Sequence, residues 1–198
     1  MLLTHTELEH CLGKATEIAE QYRLYSIASD DPQRSVDNLM ATCKSYLKVN
    51  LKLLEIEVDR KDSAIWGACI KTEDGFDICY GKGHNNCWRR FIVCKEVFHV
   101  VLDCEAYRNM DLEGHIEEVT VAFPDLNSKP GAPVKVELLA ELAAMEFLFP
   151  YACRLLELDG PHKDNFFAIA DKYKVPQVHV EKYLSKQYMD ALGKHSAK

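Results

Sequence analysis

Residues 88–102 read Trp88-Arg89-Arg90-Phe91-Ile92-Val93-Cys94-Lys95-Glu96-Val97-Phe98-His99-Val100-Val101-Leu102, the most apolar stretch of the chain. Its length and composition predict a helix buried on most of its surface. A lysine, a glutamate and a histidine sit in its middle, where each needs a partner if the helix is buried. On a helix, positions 95 and 99 share a face and position 96 stands about 100° away. That is the geometry of the H-E-x-x-H zinc site, in which two histidines hold the metal and the glutamate acts as general base on the metal-bound water. Here Lys95 stands where the first histidine belongs, and an ammonium group has no lone pair to donate.

Upstream, the polar loop Gly81-Lys82-Gly83-His84-Asn85-Asn86 delivers the chain to this helix, with His84, Asn85 and Asn86 suited to turn and capping roles. Before the loop the apolar period is 2: Leu51 to Val58, Ile65 to Lys71 and Phe76 to Tyr80 read as strands, and Glu73-Asp74-Gly75 as a hairpin turn. Further back the period is 3.6. Ser35 to Val49 and Thr4 to Arg23 read as helices, the latter opened by a Thr4/Glu7 capping box. Downstream, Asp103 to Pro133 is irregular apart from a β-like stretch at Glu118 to Phe123, and such an excursion is more often functional than accidental. Val136 to Phe149 is again helical and is stopped by Pro150. A short helix to Leu158 and two closing helices, Lys163 to Tyr173 and Gln177 to Leu192, complete the pattern.

The 198 residues suffice for one domain with a proper core, and 47% hydrophobic with 28% charged residues is an ordinary folded composition. A net charge of −7 has the wrong sign for a protein that grips nucleic acid through its phosphates. The Arg89-Arg90 pair is too short to be a nucleic-acid patch. No run of about 18 apolar residues exists, and carboxylates interrupt the N-terminus before a secretory core could form, so neither a membrane partner nor a signal is expected. The eight cysteines are scattered singly, as reduced core residues of a cytoplasmic protein would be.

Residues Arg90 to His99 resemble, position by position, the R-F-T-L-A-H-E-L-G-H segment of the ImmA/IrrE family of zinc-metallopeptidase-like proteins. Glu137-Leu138-Leu139-Ala140-Glu141-Leu142-Ala143-Ala144-Met145-Glu146-Phe147-Leu148-Phe149-Pro150 is similar to that family's E-x-E-A-N-x-F-A-A-E-L-L-M-P signature, and Ile169 to Pro176 to its closing L-A-x-x-F-x-V-S segment. The resemblance covers about Ser35 to Leu184. It implies an α+β fold: a mostly helical, zincin-like domain with a small three-stranded antiparallel sheet and C-terminal helices. The organisation expected is an N-terminal helix and linker (1–34), the metallopeptidase-like domain (35–192, with closing helices 163–192) and a tail (193–198). The resemblance further implies Glu96 as catalytic base, His99 and Glu137 as ligands of a metal site, and Glu141 one helical turn from Glu137.

The departures all touch the metal: Lys95 for a histidine, Phe98 for a glycine and Glu141 for an asparagine. A site that lost Zn²⁺ would strand Glu96 and Glu137, and a lysine could restore the missing positive charge, with Glu141 as a further partner. The expectation is a catalytically inactive protein- or peptide-binding regulatory module of a mobile element or stress response, without cofactor and with a protein or peptide partner such as a repressor. The alternative is a divergent zinc peptidase with Glu96 as base. A third reading is a DNA-binding regulator built on the C-terminal helices, whose second helix carries Lys182, Lys186 and Lys194. His115 could serve as a substitute ligand, and Trp66, Trp88, Phe166 and Phe167 are expected in the core.

Overall fold

The computed structural model describes residues 3–25, 31–57, 66–102 and 132–196. The Asp103 to Pro133 excursion up to residue 131, with Glu118 to Phe123, Cys104 and His115, lies outside them. The first helix, α1 (His5–Tyr25), begins at its capping box: the Thr4 N–H donates to Glu7 Oε2 (2.6 Å) and the Glu7 N–H donates to Thr4 Oγ1 (3.2 Å). Leu8, Cys11, Ala15, Ile18 and Tyr22, at spacings of three and four, form its buried stripe. The next helix, α2 (Val36–Leu47), is capped by Ser35, whose side chain accepts from the Asn38 N–H, and stops at Lys48, which adopts the left-handed conformation (φ 55°).

Three strands follow, β1 (Asn50–Ile56), β2 (Gly67–Thr72) and β3 (Gly75–Gly81), in the spatial order β1-β3-β2. The β2–β3 hairpin is antiparallel and turns through Glu73 and Asp74. Gly75 follows with φ 149°, and a Cβ there would lie 2.1 Å from the Asn50 carbonyl oxygen of β1. The β1–β3 pair is parallel, with Asn50 opposite Gly75 and Ile56 opposite Gly81. The sheet is therefore mixed, not antiparallel as expected from the sequence. Alternation with period 2 tells which face of a strand is apolar and is identical in both kinds of ladder. Direction is set by the connection, and here the chain leaves β1, returns along the far edge as β2 and inserts β3 between them.

Beneath the sheet runs α3 (Asn86–Leu102), opened by Asn85, whose Oδ1 accepts from the Trp88 N–H (3.0 Å). It packs against α4 (Ala132–Leu148), which also carries α1 along its length. α1 thus shares the core with the rest of the chain: the Cys11 thiol donates to the Leu139 carbonyl (3.2 Å) and Lys135 pairs with Glu7 (3.0 Å). Four shorter helices close the molecule, α5 (Tyr151–Leu158), α6 (Phe166–Tyr173), α7 (Gln177–Leu184) and α8 (Lys186–Ser196). The molecule is mostly helical, with eight helices and one three-stranded sheet among the described residues, which makes it α+β.

The single closing helix expected over Gln177 to Leu192 is two. Ser185 is extended (φ −61°, ψ 144°), its hydroxyl donates to the Lys182 carbonyl (2.7 Å), and its own carbonyl accepts the first bond of α8 from the Met189 N–H. A serine offers the backbone this local alternative to the helical ladder, which apolar periodicity does not report. The second of these helices continues past Leu192 to Ser196, into the stretch expected as a tail. Trp88 and Phe166 pack against the core as expected, whereas Trp66 is 39% and Phe167 71% exposed.

Candidate functional site

α3 and α4 face each other, and on the facing sides Lys95, Glu96, His99 and Glu137 converge. The Lys95 ammonium donates to Glu137 Oε2 (2.6 Å) and lies 3.1 Å from Glu96 Oε1. His99 Nε2 is 3.1 Å from Glu137 Oε1 and 3.9 Å from Glu96 Oε2. The side chains are 21% exposed for Lys95, 3% for Glu96, 14% for His99 and 33% for Glu137, so the cluster is a partly buried pit opening past Glu137. Helical geometry explains the grouping: residues 95 and 99 are one turn apart, with 96 beside them, and Glu137 enters from the opposing helix.

The first residue of β2 roofs Glu96. A Cβ on Gly67 would come within 2.4 Å of Ile92 Cγ2 and 2.9 Å of Glu96 Oε1, so only a glycine lets the strand lie this close to α3. Gly67→Ala is expected to lose about 1 to 3 kcal/mol of stability, the usual cost of overpacking, read by urea denaturation. A variant as stable as the parent would mean that β2 lifts from α3 without penalty.

Charge in the pit is set by competition between burial and pairing. Burial works to strip the proton from Lys95, but the nearby Glu96 and Glu137 carboxylates outweigh it and hold the ammonium above the ordinary lysine range. Burial likewise works to protonate Glu137. The hydrogen bond from His99 and the charge of Lys95 prevail, and its pKa falls far below the usual carboxylate range. The cluster therefore contains a firmly charged lysine and a firmly charged Glu137.

Glu141 does not join Lys95, contrary to the sequence expectation. One turn along α4 from Glu137, it accepts from Lys182 Nζ (2.5 Å) and from the Tyr183 hydroxyl (3.1 Å), both on α7. A position on the same helical face as Glu137 fixes the direction of Glu141 but not its partner, and α7 supplies a nearer cation. Lys182 is raised above the usual lysine range: burial opposes this, and the Glu141 charge overcomes it. Beside the pair sits His179, 9% exposed, 3.8 Å from Glu141 Oε1 and stacked on Phe91 with ring centres 4.0 Å apart. Neither of its ring nitrogens has a hydrogen-bond partner among the described residues, and burial pushes its pKa down to about 4. Sequence reasoning does not mark His179 or Tyr183; their spacing with Val180 and Leu184 on one face of α7 is the available signal.

Two polar anchors hold the frame. Arg90, one of the residues quoted for the resemblance, donates to the carbonyls of Arg34 (2.7 Å) and Lys174 (3.2 Å), tying the N-terminal half of α3 to the segments before α2 and after α6. Asn85 performs the capping expected of it. Fitted against a zinc ion, the four residues of the pit do not suit it as they stand: the ammonium of Lys95 lies against both carboxylates, where a cation would have to go. Among the described residues no three or more His, Cys, Asp or Glu side chains are grouped to hold a metal, and no helix is long and apolar enough to cross a membrane. In comparisons with known proteins, no family model, no curated protein and no solved structure matches the chain.

Proposed function

We propose that this chain is an ImmA/IrrE-like, zincin-like domain whose metal position is taken by a built-in cation, and that it works as a non-catalytic, cytoplasmic protein- or peptide-binding module in regulation of a mobile element or stress response. The observation that carries this reading is Lys95 Nζ, 2.6 Å from one carboxylate and 3.1 Å from the other. Glu96, the residue that would act as base on a metal-bound water, is instead the neighbour of an ammonium, and a glutamate so paired has no activated water to deprotonate. Supporting it are the small sheet packed on α3, the helix α4 facing it, and the order of elements along the chain. A repressor protein is the partner class that the resemblance suggests.

The test is elemental analysis of protein purified with neither added metal nor chelator, paired with a casein cleavage assay. Far less than one zinc per chain and no chelator-sensitive cleavage are expected. One tightly held zinc per chain, together with proteolysis abolished by Glu96→Gln and restored by zinc after chelation, would overturn the proposal in favour of an active peptidase.

A further inference from the structure

The short helix α5 is built inside out. Arg154 and Glu157, three residues apart and so on one face, point inward, with Arg154 fully buried and Glu157 nearly so. Both are satisfied there. Arg154 donates to Glu146 Oε2 (2.6 Å) and to the Phe149 carbonyl (2.7 Å), and Glu157 accepts from Lys172 Nζ (2.6 Å) and the Tyr173 hydroxyl (2.9 Å). Ala152, Leu155, Leu156 and Asp159, at the spacings of three and four that mark the opposite face, are all exposed, Leu156 to 71%. Leu158 widens this apolar surface on its flank. A leucine exposed singly is ordinary; a helical face of them set against a buried polar face marks a surface that another molecule covers.

The face reads the same from either end. Two residues lie between Ala152 and Leu155, and two between Leu156 and Asp159. A copy laid antiparallel against it therefore sets Leu155 opposite Leu156 in the centre and Ala152 opposite Asp159 at both ends, the self-complementarity that a two-fold interface requires. The helix ends fit as well. Asp159 is the C-terminal cap of α5, where the helix dipole disfavours a carboxylate. At the other end the cap position is Pro150, which offers no side-chain acceptor. Glu146 Oε1 takes the Tyr151 N–H (2.8 Å), and the Ala152 and Cys153 N–H groups have no hydrogen-bond partner among the described residues. An antiparallel copy brings each Asp159 to the other's first turn, where a carboxylate is favoured. The loop that follows α5, Pro161 to Asn165, is exposed and largely polar, as the rim around an apolar contact is.

We propose that two copies of this chain pair through α5, antiparallel across a two-fold axis, with Leu155 and Leu156 as the apolar centre and each Asp159 at the first turn of the other copy's helix. A helix of 8 residues makes a small contact, at or below the low end of the ~1,200 to 2,000 Å² of stable complexes, so the dimer is weak and forms with rising concentration. No residue of the Lys95 cluster lies on α5, so the failure of either reading leaves the other standing.

The experiment is sedimentation velocity of the full chain from ~1 to ~500 µM, over which the average sedimentation coefficient should climb toward that of a dimer. Leu155→Lys and Leu156→Glu, both at exposed positions, should each weaken association about tenfold or more, because each sets a charge against a leucine of the other copy. Combined in one chain, the two substitutions set an ammonium opposite a carboxylate on either side of the axis. The double variant should then associate at least about threefold more tightly than either single variant. Neighbouring positions on a helix do not face each other, so that gain comes only from the antiparallel register. Circular dichroism and a melting curve establish that all three variants are folded. A chain monomeric throughout the range would overturn the proposal and assign the face to a different protein. Association that both single variants leave unchanged would overturn it by moving the contact elsewhere, and a double variant no tighter than the single ones would overturn the antiparallel pairing.

Discussion

Lys95→Met should lose about 3 kcal/mol of unfolding free energy at neutral pH in urea denaturation. That is the lower end of the ~3 to 5 kcal/mol that follows removal of one member of a buried ion pair. The lower end applies because Glu137 keeps a third of its side-chain surface, whereas Glu96 is almost fully enclosed. Methionine fills much of the same volume, so the loss reports the stranded carboxylates and not a cavity. Lys95→His separates two effects in one protein. With chelator present it should be destabilised to a similar extent, since neutral imidazole does not balance two carboxylates. With equimolar zinc it should recover, because the introduced imidazole, together with His99 and Glu137, would then offer the three ligands of a catalytic-type zinc site. Exposed pairs are worth only ~0 to 1 kcal/mol. Lys95→Met and Lys95→His proteins both as stable as the parent, with and without zinc, would therefore show Lys95 to be an ordinary solvated residue.

The second large effect is on acidification. Free histidine in the unfolded chain titrates near 6.5, whereas His179 in the folded protein is held down to about 4 by burial. Glu141 at 3.8 Å favours the charged ring and offsets part of this, while Lys182 and Lys95 add to it. Above pH 6.5 neither state binds the proton and His179 contributes no pH dependence. Between pH 6.5 and 4 only the unfolded chain takes the proton, so stability falls by about 1.4 kcal/mol per pH unit, about 3 kcal/mol in all. Glu137 acts in the same direction at lower pH: its depressed pKa lends stability that is present above the unfolded value near 4.5 and is lost as pH falls below it. His179→Phe isolates the first contribution. It keeps the stacking on Phe91, removes two ring nitrogens without partners, and should gain about 1 kcal/mol at pH 7.5. The difference between parent and variant should widen steadily from pH 6.5 to 4.5 in urea titrations at fixed temperature. A constant difference across that range would mean that His179 titrates normally and is not held neutral.

Local signals are legible in the sequence wherever a single turn of chain decides the outcome. The Thr4/Glu7 capping box, the Asn85 cap and the Glu73-Asp74 turn all lie where side-chain chemistry alone places them. The apolar stripes of α1, α2, α3 and α4 are equally visible, because burial repeats every three or four residues. The direction of β1 is not, since a strand carries no mark of whether its neighbour runs with it or against it. Nor is the break at Ser185, where a hydroxyl competes with the helical ladder against an uninterrupted pattern of apolar residues. In the pit, Glu96 and His99 can be paired by helical spacing. Glu137, 42 residues from Lys95, comes into view only through resemblance. The Glu141–Lys182 pair, 41 residues apart, offers no such help, and helical spacing alone assigns Glu141 to the wrong lysine.

A cation delivered by a side chain differs from a bound ion in one thermodynamic respect. A metal stabilises its site only in proportion to its occupancy, so the stability it lends rises and falls with free-ion concentration and vanishes under a chelator. Lys95 is present at full occupancy in every copy from the moment of synthesis. A pairing between α3 and α4 made through Lys95 needs no ion to be loaded: its cation has no dissociation constant, and proton concentration is the ordinary solution variable that can discharge it.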